Sequence, residues 1–418
     1  MQINDSIEHL FRHEYGKIVA ALTGKFSSYQ IDLIEDSVQE ALLKAMNVWG
    51  FREMPENPSA WLYRVASNHL IDQLRRAKKT VEYDFPEDLL ANENLINDTS
   101  ILSGINDEQL KMIFACCHPV LTQTEQIILS LKLLGGLSIR EIASALLKKE
   151  ETAKKAITRA KEKFKTEIGK IEIPARKDLN QRLNSVLKVI YLLFNEGYKA
   201  TEGESLVKKD ICLEAIRLAE ILTENENCDT PKLNALLALM YFSSARFDSR
   251  INESGELVTL ENQNRDLWNK DLINMGMYYL NKSSSGMELT EYHLEAGIAS
   301  LYSTAETFRH TDWETILNLY NLLVKINSSP VIMLNRIVVF EKINGPRKAL
   351  KEMKNLEQDE SIKDSYLYYT IKADFSESAG NIIEAKELLI KAVELSSNSI
   401  ERNFLENKLF NIINYNLS

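Results

Sequence analysis

No run of 18 apolar residues occurs anywhere in the 418-residue chain, which excludes a membrane-spanning helix; no membrane partner is expected. The first residues, Met1-Gln2-Ile3-Asn4-Asp5, lack the basic and apolar regions of a signal peptide. Four cysteines, Cys116, Cys117, Cys212 and Cys228, form neither a disulfide framework nor a CxxC pair, so a reducing, cytoplasmic location is predicted. There is no Gly-rich phosphate loop, no nucleophile–base pair and no metal-ligand spacing; neither catalysis nor a cofactor is expected. Positive charge is also short. Against 50 Lys and Arg stand 60 Asp and Glu, a net charge of −10. Most of that excess lies late: residues 1–170 hold 22 basic and 24 acidic side chains, the remainder 28 and 36. Any nucleic-acid binding must therefore rest on local basic patches.

What is present is helical. Length alone predicts two or three domains, and apolar residues recur at three- and four-residue steps throughout. The chain is read as all-α. From Ile7 to Leu22 such a stripe predicts a helical hairpin over residues 3–29, broken near Gly24. Ile34, Val38, Ala41, Leu42 and Ala45 mark the buried side of the next helix, with Asp32, Glu35, Asp36, Gln39 and Glu40 facing away. The loop Met54-Pro55-Glu56-Asn57-Pro58-Ser59 follows, in which Ser59 is the expected cap of a helix from Ala60 to about Lys79. That helix carries Trp61, Leu62, Val65, Ala66, Leu70, Ile71 and Leu74 on one side and ends in Arg75, Arg76, Lys78 and Lys79.

These spacings resemble region two of the extracytoplasmic-function (ECF) sigma factors, promoter-recognition subunits of bacterial RNA polymerase. The acidic helix matches at Asp32, Glu35, Asp36, Gln39 and Glu40; the next helix matches at Trp61, Leu62, Val65, Ala66, Asn68, Asp72, Arg75 and Arg76. The resemblance implies that the five acidic-helix residues bind core polymerase. It implies contact with the −10 promoter element through Asn57, Trp61, Arg64, Asn68, Asp72, Arg75 and Arg76. Holding a flipped base needs a loop with polar or aromatic side chains, which Asn57, Trp61 and Asn68 supply, although Trp61 is equally suited to the core.

Between Thr80 and Glu108 no Lys or Arg occurs, while eight acidic residues do. Such a stretch reads as a solvated linker; the resemblance adds a path through polymerase. Beyond it a helix over Thr122–Leu134 is predicted, broken by Gly135-Gly136. Ser138 and Glu141 form a capping box for a short helix buried at Ile139, Ile142, Ala143 and Leu146. A turn near Leu147-Lys148-Lys149 then leads into a basic helix from Glu150 to about Lys165. A short helix, a turn and a basic helix make a helix-turn-helix whose last helix enters the major groove. The pattern Leu137-Ser138…Glu141-Ile142-Ala143, then Thr152, Lys154, Arg159, Ala160 and Lys161, resembles region four of the same sigma factors. One departure is Leu147, where the turn often carries Gly. Contact with the −35 element is thereby implied for Ser138, Thr152, Lys154, Lys155, Arg159, Lys161 and Lys163.

Two groups invite a metal reading and are assigned otherwise. His9 and His13 lack a carboxylate or thiol partner in sequence, and Cys116-Cys117 precede His118 as adjacent, buried structural thiols. After Pro174 helical patterns continue to the C-terminus. Gly345 and Gly380 lie 35 residues apart, each ahead of a helix, and Ala385, Leu389, Ala392 and Leu395 take positions expected in a tetratricopeptide (TPR) helix. The motifs Tyr191–Tyr198, Leu237–Met240, Thr311-Asp312-Trp313 and Leu334-Asn335-Arg336 resemble an ECF subgroup with a TPR-like extension.

The expected organisation is region two at 1–80, an acidic linker at 81–107, region four at 108–170 and the extension at 175–418. The resemblance implies that the extension regulates the sigma factor, through a regulatory protein or a ligand. Asn195, Glu196, Asp312, Trp313, Asn335 and Arg336 are candidates for lining a pocket, or for holding hairpins together. The competing readings are a helix-turn-helix repressor with a TPR sensor and, less supported, an enzyme built on the helical extension.

Overall fold

In a computed structural model, residues 2–49, 54–78, 105–146, 149–168, 171–198, 209–252, 256–356, 362, 365–396 and 399–414 are described. No β-strand occurs among them; one isolated antiparallel bridge joins Ile251 and Leu257. The chain divides into two compact units, Met1–Leu193 and Phe194–Ser418. The expected linker at 81–107 falls almost wholly outside the described residues, as does the turn at Leu147-Lys148.

The first unit opens with α1 (Gln2–Phe26), α2 (Ile31–Trp49) and α3 (Pro58–Lys78). The expected hairpin over 3–29 is instead a single helix. It runs past Gly24, and the chain reverses at Ser27, which adopts φ +88°. Gly24 serves close approach rather than helix breaking: a Cβ there would lie 1.9 Å from a Glu108 carboxylate oxygen. Ile18, Val19 and Leu22 of α1 close the core with Ile31, Ile34, Val38, Ala41 and Ala45 of α2 and Leu62, Ala66, Leu70 and Leu74 of α3. His69 Nδ1 and Ser37 Oγ, 3.2 Å apart, tie α3 to α2.

The expected cap of α3 also moves. The helix starts at Pro58, and Asn57 Oδ1 accepts the Ala60 N–H at 3.0 Å. Proline suits this first position because its missing N–H would be unpaired there anyway.

The same unit continues with α4 (Ile105–Cys116), α5 (Gln123–Leu129), α6 (Ile139–Ala145), α7 (Glu150–Glu167) and α8 (Arg176–Tyr198). Thr122 and Glu125 form a capping box on α5, which runs on as a π turn over Ser130–Leu134 before Gly136 at φ +64°. The Ser138–Glu141 capping box is present on α6. Ala153, Ile157, Ala160 and Phe164 bury one side of α7. Cys116 and Cys117 are fully enclosed; burial pushes the Cys117 thiol up to about 12. α1 packs on α4 and on the π turn, and α7 packs against the 3-10 turn Ser28–Gln30. The division between units falls within α8, so Leu179, Leu183, Val186 and Leu187 are buried in the first unit, and Arg182 donates to Phe114 O.

In the second unit α9 (Lys209–Thr223), α10 (Pro231–Ser244), α11 (Lys270–Ser283) and α12 (Glu291–Thr304) precede α13 (Trp313–Ile326), α14 (Pro330–Asn344) and α15 (Pro346–Met353). The last three helices are α16 (Tyr366–Ser378), α17 (Ile382–Leu395) and α18 (Ser399–Asn414). From α12 onward the core is a chain of small clusters shared between neighbours. Ile332 and Val339 of α14 join Leu294, Ile298, Ile316 and Leu323. Leu334 and Ile337, on another side of α14, join Ala349, Met353, Tyr368 and Phe375. Ala373 of α16 then packs with Leu389, Ala392 and Leu405. Gly345 and Gly380 adopt φ +82° and +89°, turning the chain in a region that L side chains disfavour.

The loop between α10 and α11 is held by arginines on helix C-termini. Arg265 donates to Tyr302 O and Ala305 O at the end of α12, both at 2.8 Å, and stacks on Trp268 at 4.4 Å. Arg250 donates to Tyr198 O at 2.6 Å and lies 4.0 Å over the Tyr198 ring. Helix C-termini carry unpaired carbonyls and partial negative charge, which cations satisfy.

Candidate functional site

Three surfaces of the first unit carry the residues singled out in the sequence. On α3, Arg64, Asn68 and Asp72 recur at four-residue steps and are exposed together with Arg75 and Arg76. Asp72 and Arg75 lie 3.9 Å apart. Trp61 is half-buried, its ring 5.3 Å from that of Trp49. Asn57 is exposed at the head of this row, with its side-chain oxygen committed to the cap.

The second surface is the acidic helix, and here the structure departs from the periodicity. Asp36, Gln39 and Glu40 are exposed as expected, but Glu35 is only 2% exposed. It lies inside a polar cluster. Tyr15 Oη donates to Glu35 Oε1 at 2.7 Å, Lys132 Nζ lies 3.5 Å from the same oxygen, and Lys161 Nζ contacts the other. Burial, followed by the Glu35 charge, pushes the Tyr15 phenol well above its usual range. The neighbouring Asp32 pairs with Lys161 at 3.1 Å and with Lys165. Burial alone would raise Asp32, but hydrogen bonds from Lys165 and Lys161 outweigh it and hold the carboxyl below 3.8. The same balance runs in reverse for Lys161: burial lowers it, and the Glu35 and Asp32 carboxylates hold it above 10.5.

The third surface is α7, the second helix of the helix-turn-helix. Thr152, Lys154, Lys155 and Arg159 are exposed on its outer side, and Lys155 pairs locally with Glu151 at 3.2 Å. Ser138 is exposed and caps α6. Lys161 and Lys163 do not share the open face. Lys161 is turned to α2, and Lys163 pairs with Glu125 of α5 at 2.9 Å. The expected set on this helix is therefore split into four open residues and two engaged ones. Tyr15, Lys132 and Lys165 are participants that the sequence does not mark as site residues: Tyr15 falls in the apolar stripe and Lys165 at the end of the basic helix. No local pattern links them to Glu35 or Asp32, since 20 residues separate Tyr15 from Glu35 and 133 separate Lys165 from Asp32.

Among the described residues no group of three or more His, Cys, Asp or Glu is arranged to hold a metal ion, and no helix is long and apolar enough to cross a membrane. His9 and His13 lie outside the residues whose side chains are described.

Comparison with known families matches residues 10–80 to sigma-70 region 2 and residues 111–164 to sigma-70 region 4. These two regions indicate a sigma factor for transcription initiation. Sigma factors are non-enzymatic transcription initiation factors, and their two domains imply the RNA polymerase core and promoter DNA as partners. A third match, residues 182–284, is to a family of unknown function (DUF6596). Over 383 residues this sigma factor is 34% identical to an uncharacterized protein of Rhizobium meliloti (strain 1021), covering 91% of this chain and 90% of the relative. No solved structure matches.

In the second unit, a cleft of about 620 Å³ is lined by Tyr302, Phe308, Trp313, Lys342, Asp374 and Lys408, among others. The Trp313 ring meets those of Tyr302 and Phe308 edge-on, at 5.8 and 5.0 Å. Of the six residues named as pocket candidates, only Trp313 lines it. Asp312 instead caps α13 by accepting the Thr315 N–H at 3.0 Å, and Arg336 is held by Asn321 and Glu352.

Proposed function

We propose that this sigma factor is of the ECF type, with region two at about 1–80, region four at about 108–170 and a TPR-like regulatory extension after it. The observation that carries the promoter-reading part is the division of α7. Ala153, Ile157, Ala160 and Phe164 are buried, while Thr152, Lys154, Lys155 and Arg159 stand together on the open side. A helix packed on one side and basic on the other suits the major groove. We assign the −35 element to this face and to Ser138, and the −10 element to Asn57, Trp61, Arg64, Asn68, Asp72, Arg75 and Arg76. Core polymerase is assigned to the acidic side of α2, through Asp32, Glu35, Asp36, Gln39 and Glu40.

For the extension we favour a required positive element. Its neighbour-to-neighbour clusters support a repeat architecture, and the aromatic cleft offers a place for a regulatory ligand or peptide. Run-off transcription by reconstituted polymerase on DNA from upstream of the protein's own gene tests the whole reading. Specific transcripts that depend on the protein are expected. Duplex binding without polymerase dependence would favour the repressor instead.

A further inference from the structure

Beyond residue 170 the chain carries 36 acidic side chains against 28 basic, yet one short helix there is basic on its open side. Between residues 346 and 356 the exposed residues are Arg347, Lys348, Lys351, Lys354 and Asn355, with no carboxylate among them. Ala349 and Met353 bury the other side of α15 with Leu334, Ile337, Tyr368 and Phe375, so packing fixes which way the stripe faces. Among the described residues none of the four cations forms an ion pair; the adjacent Glu352 is taken by Arg336 at 3.2 Å. Local chemistry does not favour the arrangement either. Arg347 and Lys348 stand in the first turn of α15, where the helix dipole disfavours cations. Arg347 and Lys351 are like charges four residues apart, a spacing at which they repel. A conflict of this kind with no partner inside the chain marks a surface shaped for something outside it.

We propose that Arg347, Lys348, Lys351 and Lys354 form a third DNA-binding surface, on the extension, which takes the phosphate backbone of duplex DNA. The chemistry of the stripe selects a polyanion over a protein partner. Protein interfaces centre on apolar side chains and are poor in Lys, whereas none of the exposed residues between 346 and 356 is apolar. Phosphate requires only positive charge at a suitable interval. From Arg347 to Lys354 the backbone rises about 10 Å at about 1.5 Å per residue, close to three phosphate steps of about 3.4 Å along one strand. At 0.1 M salt the charge of the acidic remainder is screened beyond about 10 Å, so the stripe acts on a nearby backbone in spite of it. Phosphate contacts carry no sequence information; the stripe adds affinity on any sequence, and base reading stays with α3 and α7. Promoter duplex as the polyanion rests on the sigma-factor reading, but the cationic face does not.

The test titrates the full chain onto fluorescently labelled duplexes of about 30 base pairs, in two unrelated sequences, across a range of salt, and reads anisotropy. Each phosphate contact contributes about 0.9 to the slope of log K against log salt. Arg347→Gln, Lys348→Gln, Lys351→Gln and Lys354→Gln combined should flatten that slope by about 3 and weaken low-salt binding at least about tenfold, equally on both duplexes. Lys348→Arg, Lys351→Arg and Lys354→Arg combined keep the charge and should keep the slope. The four sites are exposed and carry like charge, so the Gln variant should melt no lower than wild type. No duplex binding by wild type at low salt, or a slope changed by less than about one unit in the Gln variant, overturns the proposal. So does weakening confined to one of the two sequences. An unchanged slope with weakened binding to core polymerase makes the partner an acidic protein surface, which also overturns it. Lys154→Gln with Arg159→Gln on α7 separates this surface from the −35 assignment. A flattened slope for the α15 variant beside a silent α7 pair keeps the stripe and counts against α7; the reverse removes the stripe and keeps α7.

Discussion

Glu35 illustrates how far a single side chain can depart from its helical position. On a helical wheel it belongs to the acidic side of α2; in the fold it is enclosed by Tyr15, Lys132 and Lys161. Breaking a buried pair costs more than the pair contributes, because the remaining charge is left without its partner. Lys161→Ala is expected to destabilise the protein by about 3 kcal/mol, toward the low end of that class because Lys132 stays beside Glu35. Urea denaturation measures it; a loss below about 1 kcal/mol would mean that Lys161 is not the principal partner. The pH dependence follows from the same groups. Asp32 titrates below its ordinary 3.8 when folded, so its contribution is complete above that value and is lost as the pH falls through the folded value. Lys161 titrates above 10.5, so its contribution holds below that pH and is lost as the pH rises through the folded value. Stability to urea should therefore be flat from about pH 5 to 9 and fall below about 4.

At the scale of elements, α3 and α7 each offer a sharp comparison. Asn57 holds the cap of α3, so Asn57→Ala is expected to cost about 1 kcal/mol of stability, against a few tenths for Ser59→Ala. Thermal denaturation of the two variants should rank them in that order; the reverse order would return the cap to Ser59. On α7, Arg159→Ala should weaken binding to −35 duplex by about 1–3 kcal/mol if it meets a base edge, with relaxed preference at one position. Lys163→Ala, paired with Glu125, should change that binding little. Equal loss for both substitutions in duplex titrations would mean that α7 acts through net charge rather than through its open face.

At the scale of the molecule, the end of the first unit decides where the extension can be removed. A cut near Ile173, ahead of Pro174, deletes Leu179, Leu183, Val186 and Leu187 and the Arg182 bond to Phe114 from the first unit. A cut after Leu193 keeps them. The shorter fragment is expected to unfold at lower temperature than the 1–193 fragment, by several degrees for each kcal/mol lost. Transcription assays of the extension belong on 1–193 at matched soluble protein. Loss of transcription there supports a required extension, and a gain above full-length protein would establish masking.

The helical class, the helix-turn-helix with its Ser138–Glu141 box and the order of regions two and four are legible in the chain. Each of these rests on contacts within a few residues, where spacing and chemistry are visible in the chain. The sequence also marked Gly345 and Gly380, whose positive φ values need no distant partner. Tertiary structure alone decided the rest. Gly24 looked like a helix end because its purpose, room for Glu108, lies 84 positions away. Glu35 looked exposed because the lysines that enclose it come from the π turn and from α7. Helical periodicity assigns a residue to a face, but only packing between distant segments determines whether that face meets water or another charge.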